Sequence, residues 1–125
     1  MSNSATTALV LFAHGSRNQA WRAPFERIAQ KVAAQTHCVV ELAFLELMEP
    51  SLPQVLQAMA QQNVQKIVVV PLFFGMGNHV ANDLTALVEA FTHQYPLVQV
   101  DIKAPLGESD VVLNAMADYA AHSLV

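Results

Sequence analysis

Two histidines in this 125-residue chain follow runs of apolar residues and stand beside glycine. His14 follows Leu9-Val10-Leu11-Phe12-Ala13 and opens the string His14-Gly15-Ser16-Arg17. His79 closes Val68-Val69-Val70-Pro71-Leu72-Phe73-Phe74-Gly75-Met76-Gly77-Asn78-His79. Neutral imidazole is a ligand that suits iron, cobalt, nickel, copper and zinc alike. If both runs are parallel strands, both rings project from one carboxyl edge of a sheet, where open α/β folds hold ligands. The spacing therefore predicts a divalent-metal site shared between separate strand-to-helix turns.

A carboxylate could join them. Glu46, in Phe44-Leu45-Glu46-Leu47-Met48-Glu49-Pro50, ends the second apolar run and should reach the same edge. Glu49 is the substitute. Asp83 follows His79 by one helical turn, which suits a carboxylate that orients the imidazole; it also places negative charge at a helix start. Arg17, in the loop beside His14, is the candidate for an anionic group on a substrate, and Ser16, Gly77 and Met76 are further substrate-contact candidates. His37, His93 and His122 read as surface or helix-end residues, and Cys38 as a small buried apolar residue.

The elements that must position these residues follow from periodicity. Apolar runs alternate with amphipathic ones, the signature of βαβ units and a mostly parallel sheet. Strands are expected at about 7–13, 38–45, 66–71 and 97–103. The run from Lys66 to Pro71 reads as a central strand covered on both faces. The first helix should start near residue 22, with Pro24 in its first turn and Phe25, Ile28, Ala29 and Val32 on its buried stripe. Trp21 then belongs to the lead-in segment and packs over the site or an interface. Ser51 and Gln54 form a capping box for the second helix, which buries Leu52, Val55, Leu56 and Met59. The third helix begins near His79 and buries Val80, Leu84, Leu87, Val88 and Phe91. A last helix from about 109 carries Val112, Leu113, Met116 and Ala120. The expected architecture is one domain over 1–125, a three-layer α/β/α sandwich on a four-stranded sheet.

Composition narrows the function. Charged residues make up only 13% and apolar ones 54%, as in a compact protein with surface to spare for a subunit interface. The net charge of −4 argues against a nucleic-acid binder. One cysteine excludes an internal disulfide and a cysteine-cluster metal site. The start of the chain lacks a basic signal-peptide pattern and no segment is long enough to span a bilayer, so the reading is cytoplasmic with no membrane partner. There is no Gly-x-Ser-x-Gly elbow and no phosphate-binding Gly-x-x-x-x-Gly-Lys loop. The Gly75-x-Gly77 pair lacks a third glycine, because position 80 is valine.

Three blocks together resemble the sirohydrochlorin chelatases of the CbiX type. They are His14-Gly15-Ser16-Arg17, then Phe44-Leu45-Glu46 with Pro50, then Pro71-Leu72-Phe73-Phe74 with Gly77-x-His79 and Asp83. Thr85 stands where many relatives carry proline. The resemblance implies insertion of cobalt or iron, with nickel a further candidate, into the tetrapyrrole sirohydrochlorin in cobalamin or siroheme biosynthesis. It implies that His14 and His79 are catalytic and metal-binding, with Glu46 assisting, and that no organic cofactor is needed. One such half per chain resembles the short form, which acts as a homodimer. The rival reading is a metal carrier or sensor with the same ligands and no turnover; a third is a small-molecule binder that takes no metal.

Overall fold

The computed structural model describes residues 6–124, so residues 1–5, part of the stretch read above for targeting signals, lie outside it. The chain order is β1 (Thr7–Ala13), α1 (Arg22–Gln35), β2 (Val39–Phe44), α2 (Leu52–Gln61), β3 (Lys66–Pro71), α3 (Asn78–Gln94), β4 (Gln99–Ile102) and α4 (Asp110–His122). Short 3-10 turns precede α1, at Gln19–Trp21, and α4, at Leu106–Glu108. The elements fall close to their expected positions. The capping box forms as read: Ser51 Oγ accepts from the Gln54 amide, and Gln54 Oε1 accepts from the Ser51 amide at 2.8 Å.

All pairings are parallel, and the spatial order is β2-β1-β3-β4. Alternate residues of each strand face opposite ways, and the burial follows. Ala8, Val10 and Phe12 of β1 join Ile67 and Val69 of β3 under α2 and α3, with Leu52, Leu56, Met59, Leu84 and Phe91 closing that core. Leu11 and Ala13 join Leu42 and Phe44 on the other face, where Trp21, Phe25, Ala29 and Val32 pack from the α1 side. Trp21 serves this second core, its ring 4.3 Å from that of Phe25 and 6.4 Å from that of Phe44.

Several expectations need correction: on α1 the side chains of Phe25, Ala29 and Val32 are only half-buried and Ile28 is exposed, and Cys38, Val80 and Leu87 are half-buried. β3 is covered fully on one face only, since its burial alternates between buried and half-buried residues. The last helix also buries no residue; its main packing is with the short turn before it. These last two are one fact seen twice. Among the described residues no helix lies over the β3–β4 half of the α1 face, so neither the strands nor α4 find the cover that pattern alone suggests. Among the described residues no helix is long and apolar enough to cross a membrane.

Stability should therefore concentrate in the α2–α3 core. Leu56→Ala, at a fully buried position, should cost about 2–5 kcal/mol, whereas Val39→Ala on the exposed edge strand should stay within about 0.5 kcal/mol. Urea denaturation midpoints of the two variants check the contrast.

Candidate functional site

In a parallel sheet with right-handed crossovers, the order β2-β1-β3-β4 reverses direction between β1 and β3. The helix after β1 therefore lies on one face and the helix after β3 on the other, as α1 and α3 do here. Their two connections part at the carboxyl ends of β1 and β3 and leave a crevice, the place where open sheets hold ligands. His14 is the first residue past β1 and His79 lies in the first turn of α3, so both stand at this edge, and both are exposed.

The ladder continues beyond the strands and fixes the loops. The Leu72 amide donates to Phe12 O at 2.7 Å, Leu45 to Ala13 O at 2.9 Å, and Glu46 to His14 O at 3.1 Å. This brings the β2 loop alongside the β1 loop and puts Glu46 next to His14. Their side chains meet, His14 Nε2 lying 3.7 Å from Glu46 Oε2, with 48% and 55% of the side chains exposed. Two donors can share one ion only if they stand no farther apart than the sum of two metal–ligand bonds, about 4 Å. The pair satisfies that limit.

Gly15 makes the approach possible. Its φ is +100°, and a Cβ there would fall 1.8 Å from the Glu46 carbonyl oxygen. A left-handed backbone and a contact with no room for a methyl group both require glycine. The adjacent ring is oriented as well: His14 Nδ1 lies 3.3 Å from Gly15 O. A carbonyl only accepts, so this contact favours the tautomer protonated at Nδ1. The lone pair is then on Nε2, the atom facing Glu46. Phe73 stands edge-on to the same ring, with centroids 6.1 Å apart.

The β2 loop is held by a residue that sequence reasoning passed over. Arg22 Nη1 donates to Glu49 O at 2.6 Å, its Nε donates to Glu26 at 3.3 Å, and its guanidinium lies 5.0 Å from the centre of the Phe44 ring. Within the loop Leu47 adopts φ +67°, a conformation that costs a non-glycine residue of order 1 kcal/mol and so needs such support. In sequence, Arg22 and Glu26 show only an ordinary i,i+4 pair; the bond to Glu49 joins residues 27 apart.

The remaining candidates are placed as follows. Glu49 is tied down, its carboxylate accepting from Gln54 Nε2 at 3.2 Å, so Glu46 rather than Glu49 meets His14. Ser16 Oγ accepts from the Asn18 amide at 3.0 Å, shaping the turn after Gly15. Arg17 is exposed, as is Gly77, the N-cap of α3. Met76 is half-buried and packs on the main core, so it forms wall. Asp83 is exposed, and among the described residues it makes no hydrogen bond or ion pair with His79. No three His, Cys, Asp or Glu residues among those described gather into a group that could hold an ion. The structure brings together His14 and Glu46, with His79 at the same edge outside the pair.

Comparison with known proteins places the fold in a family. The CbiX family model matches residues 8–123. A sirohydrochlorin cobaltochelatase of Methanococcus aeolicus is 32% identical over 82 residues, 65% of this chain and 57% of its own. The chloroplastic sirohydrochlorin ferrochelatase of Arabidopsis thaliana is 28% identical over 117 residues, 93% of this chain and 52% of its own. The chain thus spans about half the length of these curated relatives. It covers nearly all of a solved structure, a CbiX protein of cobalamin (vitamin B12) biosynthesis from Marinobacter aquaeolei VT8, with a TM-score of 0.84, 29% identity, 94% of this chain and 97% of that one. With a matching family model over almost its whole length and the fold of a solved CbiX protein, this chain belongs to the CbiX family.

Proposed function

We propose that this protein inserts a divalent metal ion, cobalt or iron, into sirohydrochlorin. The observation that carries the reading is the His14–Glu46 pair, within reach of a common ion at the open mouth of the crevice. The names of the cobaltochelatase and ferrochelatase relatives support the substrate. Nickel is a further ion of the same ligand class.

The chemistry asks for a site that presents an ion and then surrenders it. One imidazole and one carboxylate leave most coordination positions free for the incoming pyrrole nitrogens. Insertion replaces two pyrrole N–H protons by one divalent ion, so two protons must be taken up. His79 accepts one of them in this reading, because His14 uses its Nε2 lone pair on the ion, and solvent at the open crevice takes the other. One lone pair cannot hold metal and proton together. Asp83, one turn after His79, lies where it can orient that ring once substrate closes the site. Arg17 reaches for a substrate carboxylate, while Ser16 and Gly77 line the two loops and Met76 bounds the crevice. The reaction redistributes protons and an ion, so no organic cofactor takes part. A wide tetrapyrrole outsizes one shallow crevice, and a second copy of the chain supplies the facing wall. The single free thiol, Cys38, fits a reducing, cytoplasmic setting.

Turnover tests this directly. Protein incubated with sirohydrochlorin and Co²⁺, or anaerobically with Fe²⁺, should change the tetrapyrrole absorbance faster than the uncatalysed reaction. A protein that binds the ions without that acceleration is a carrier instead. His14→Ala and His79→Ala should each lower kcat by about 10²–10⁴ with unchanged circular dichroism, as both side chains are exposed. Full activity in either variant removes that residue from the mechanism. Arg17→Ala should raise KM more than it lowers kcat. Arg22→Met, which frees the β2 loop, should lower kcat/KM by about tenfold to a hundredfold through misplacement of Glu46. In that background, loss of Glu46 by Glu46→Gln should cost little more, and additive effects would sink the positioning role.

A further inference from the structure

Large apolar side chains left in water call for a reason when they gather at one place. Among the described residues, most of the exposed ones lie on α1, on or beyond α4, at the start of β2 or in the turn before β4, away from the crevice. Two do not. Leu47 is 50% exposed in the β2 loop, and Phe74 is 62% exposed in the β3 loop. β1 runs between those two strands, so the β1 loop with His14 lies between the two. Strand spacing puts the outer loops about 10 Å apart where they leave the sheet.

Neither residue stands where folding alone would put it. Both cores close without them. Leu47 has φ +67°, a conformation that glycine or asparagine holds with less strain. The backbone around each is nonetheless firmly tied. On one side the Glu46 carbonyl abuts Gly15 and Arg22 donates to Glu49 O at 2.6 Å. On the other the Phe74 carbonyl abuts Gly107, and Phe73 O accepts from the Leu106 amide at 2.9 Å. Each loop fixes its main chain and leaves one apolar side chain in solvent. Strain kept beside a ligand pair points to use by that site.

We propose that Leu47 and Phe74 form an apolar seat for the face of the tetrapyrrole ring, one on each side of the His14–Glu46 pair. The proposal rests on the insertion reading above and deepens it. A flat conjugated macrocycle has two apolar faces and carries its carboxylates only on the rim. The ion must reach the ring nitrogens along the normal to that plane, so one face has to lie over His14 and Glu46. Arg17 can grip the rim, but only apolar surface holds the face. Two supports on opposite loops keep the plane level above an ion held between them, and Phe74 adds an aromatic contact. Leu47 directly follows Glu46, so whatever covers it also covers the ion pair. A protein partner seated there would close the mouth through which the ion passes, whereas the ring is what the ion must meet.

The test titrates the intact chain into metal-free sirohydrochlorin and reads the fluorescence of the ring, with no turnover required. Leu47→Asn keeps a residue that tolerates the left-handed backbone, and Phe74→Ala removes the aromatic face. Each should weaken binding about tenfold, with circular dichroism and urea midpoint unchanged. The loss should be alike at low and high salt, whereas the loss in Arg17→Ala should be larger at low salt. Leu47→Met and Phe74→Leu restore apolar surface and should recover most of the affinity. With Co²⁺ present, KM for sirohydrochlorin should rise in Leu47→Asn more than kcat falls. Full affinity in Leu47→Asn and Phe74→Ala overturns the seat and leaves the insertion chemistry standing. So does a loss that Met and Leu fail to recover, or one that tracks a fall in sedimentation mass, which would place the side chains in a subunit contact. An unaltered chain that binds no sirohydrochlorin overturns both readings.

Discussion

The site depends on a constraint of chain path rather than on any one bond. A right-handed crossover forces the helix after each strand onto a face set by the direction of travel. Because β2 and β3 lie on opposite sides of β1, α1 and α3 part to opposite faces and the carboxyl ends of β1 and β3 stay uncovered. The neighbouring strands then bring three loops together there. Backbone bonds from Leu45 and Glu46 on one side and Leu72 on the other tie those loops to β1, so the crevice is shaped by the same ladder that forms the sheet.

Within that frame, close backbone approach does the fine positioning. Gly15 against the Glu46 carbonyl and Gly107 against the Phe74 carbonyl each use the absence of a Cβ to bring two loops into contact. The first sets the distance between His14 and Glu46. The second joins the β3 loop to the start of α4. Arg22 adds a longer-range tie, packing over Phe44 and bonding Glu49 O, which steadies a loop that contains Leu47 in a left-handed conformation. Polar ligands stay accessible because the rigid parts are backbone and apolar side chains beneath them.

The sequence alone determined the elements and the edge they share. Apolar runs and helical periodicity marked four strands and four helices, the capping box at Ser51 and Gln54 marked a helix start, and the apolar, β-branched run at Lys66–Pro71 marked a central strand. Those signals are local, being written in neighbours a few residues apart, and so are His14-Gly15-Ser16-Arg17 and Gly77-x-His79. Only the tertiary structure decided which carboxylate meets His14, since Glu46 and Glu49 look alike until Gln54 and the Gly15 contact separate them. Only it showed Arg22 as a tie to the β2 loop, because that bond spans 27 residues. It also decided that no residue of α4 is buried. An amphipathic stripe records that a helix needs an apolar surface, but where that surface lies depends on the path of the chain around the sheet.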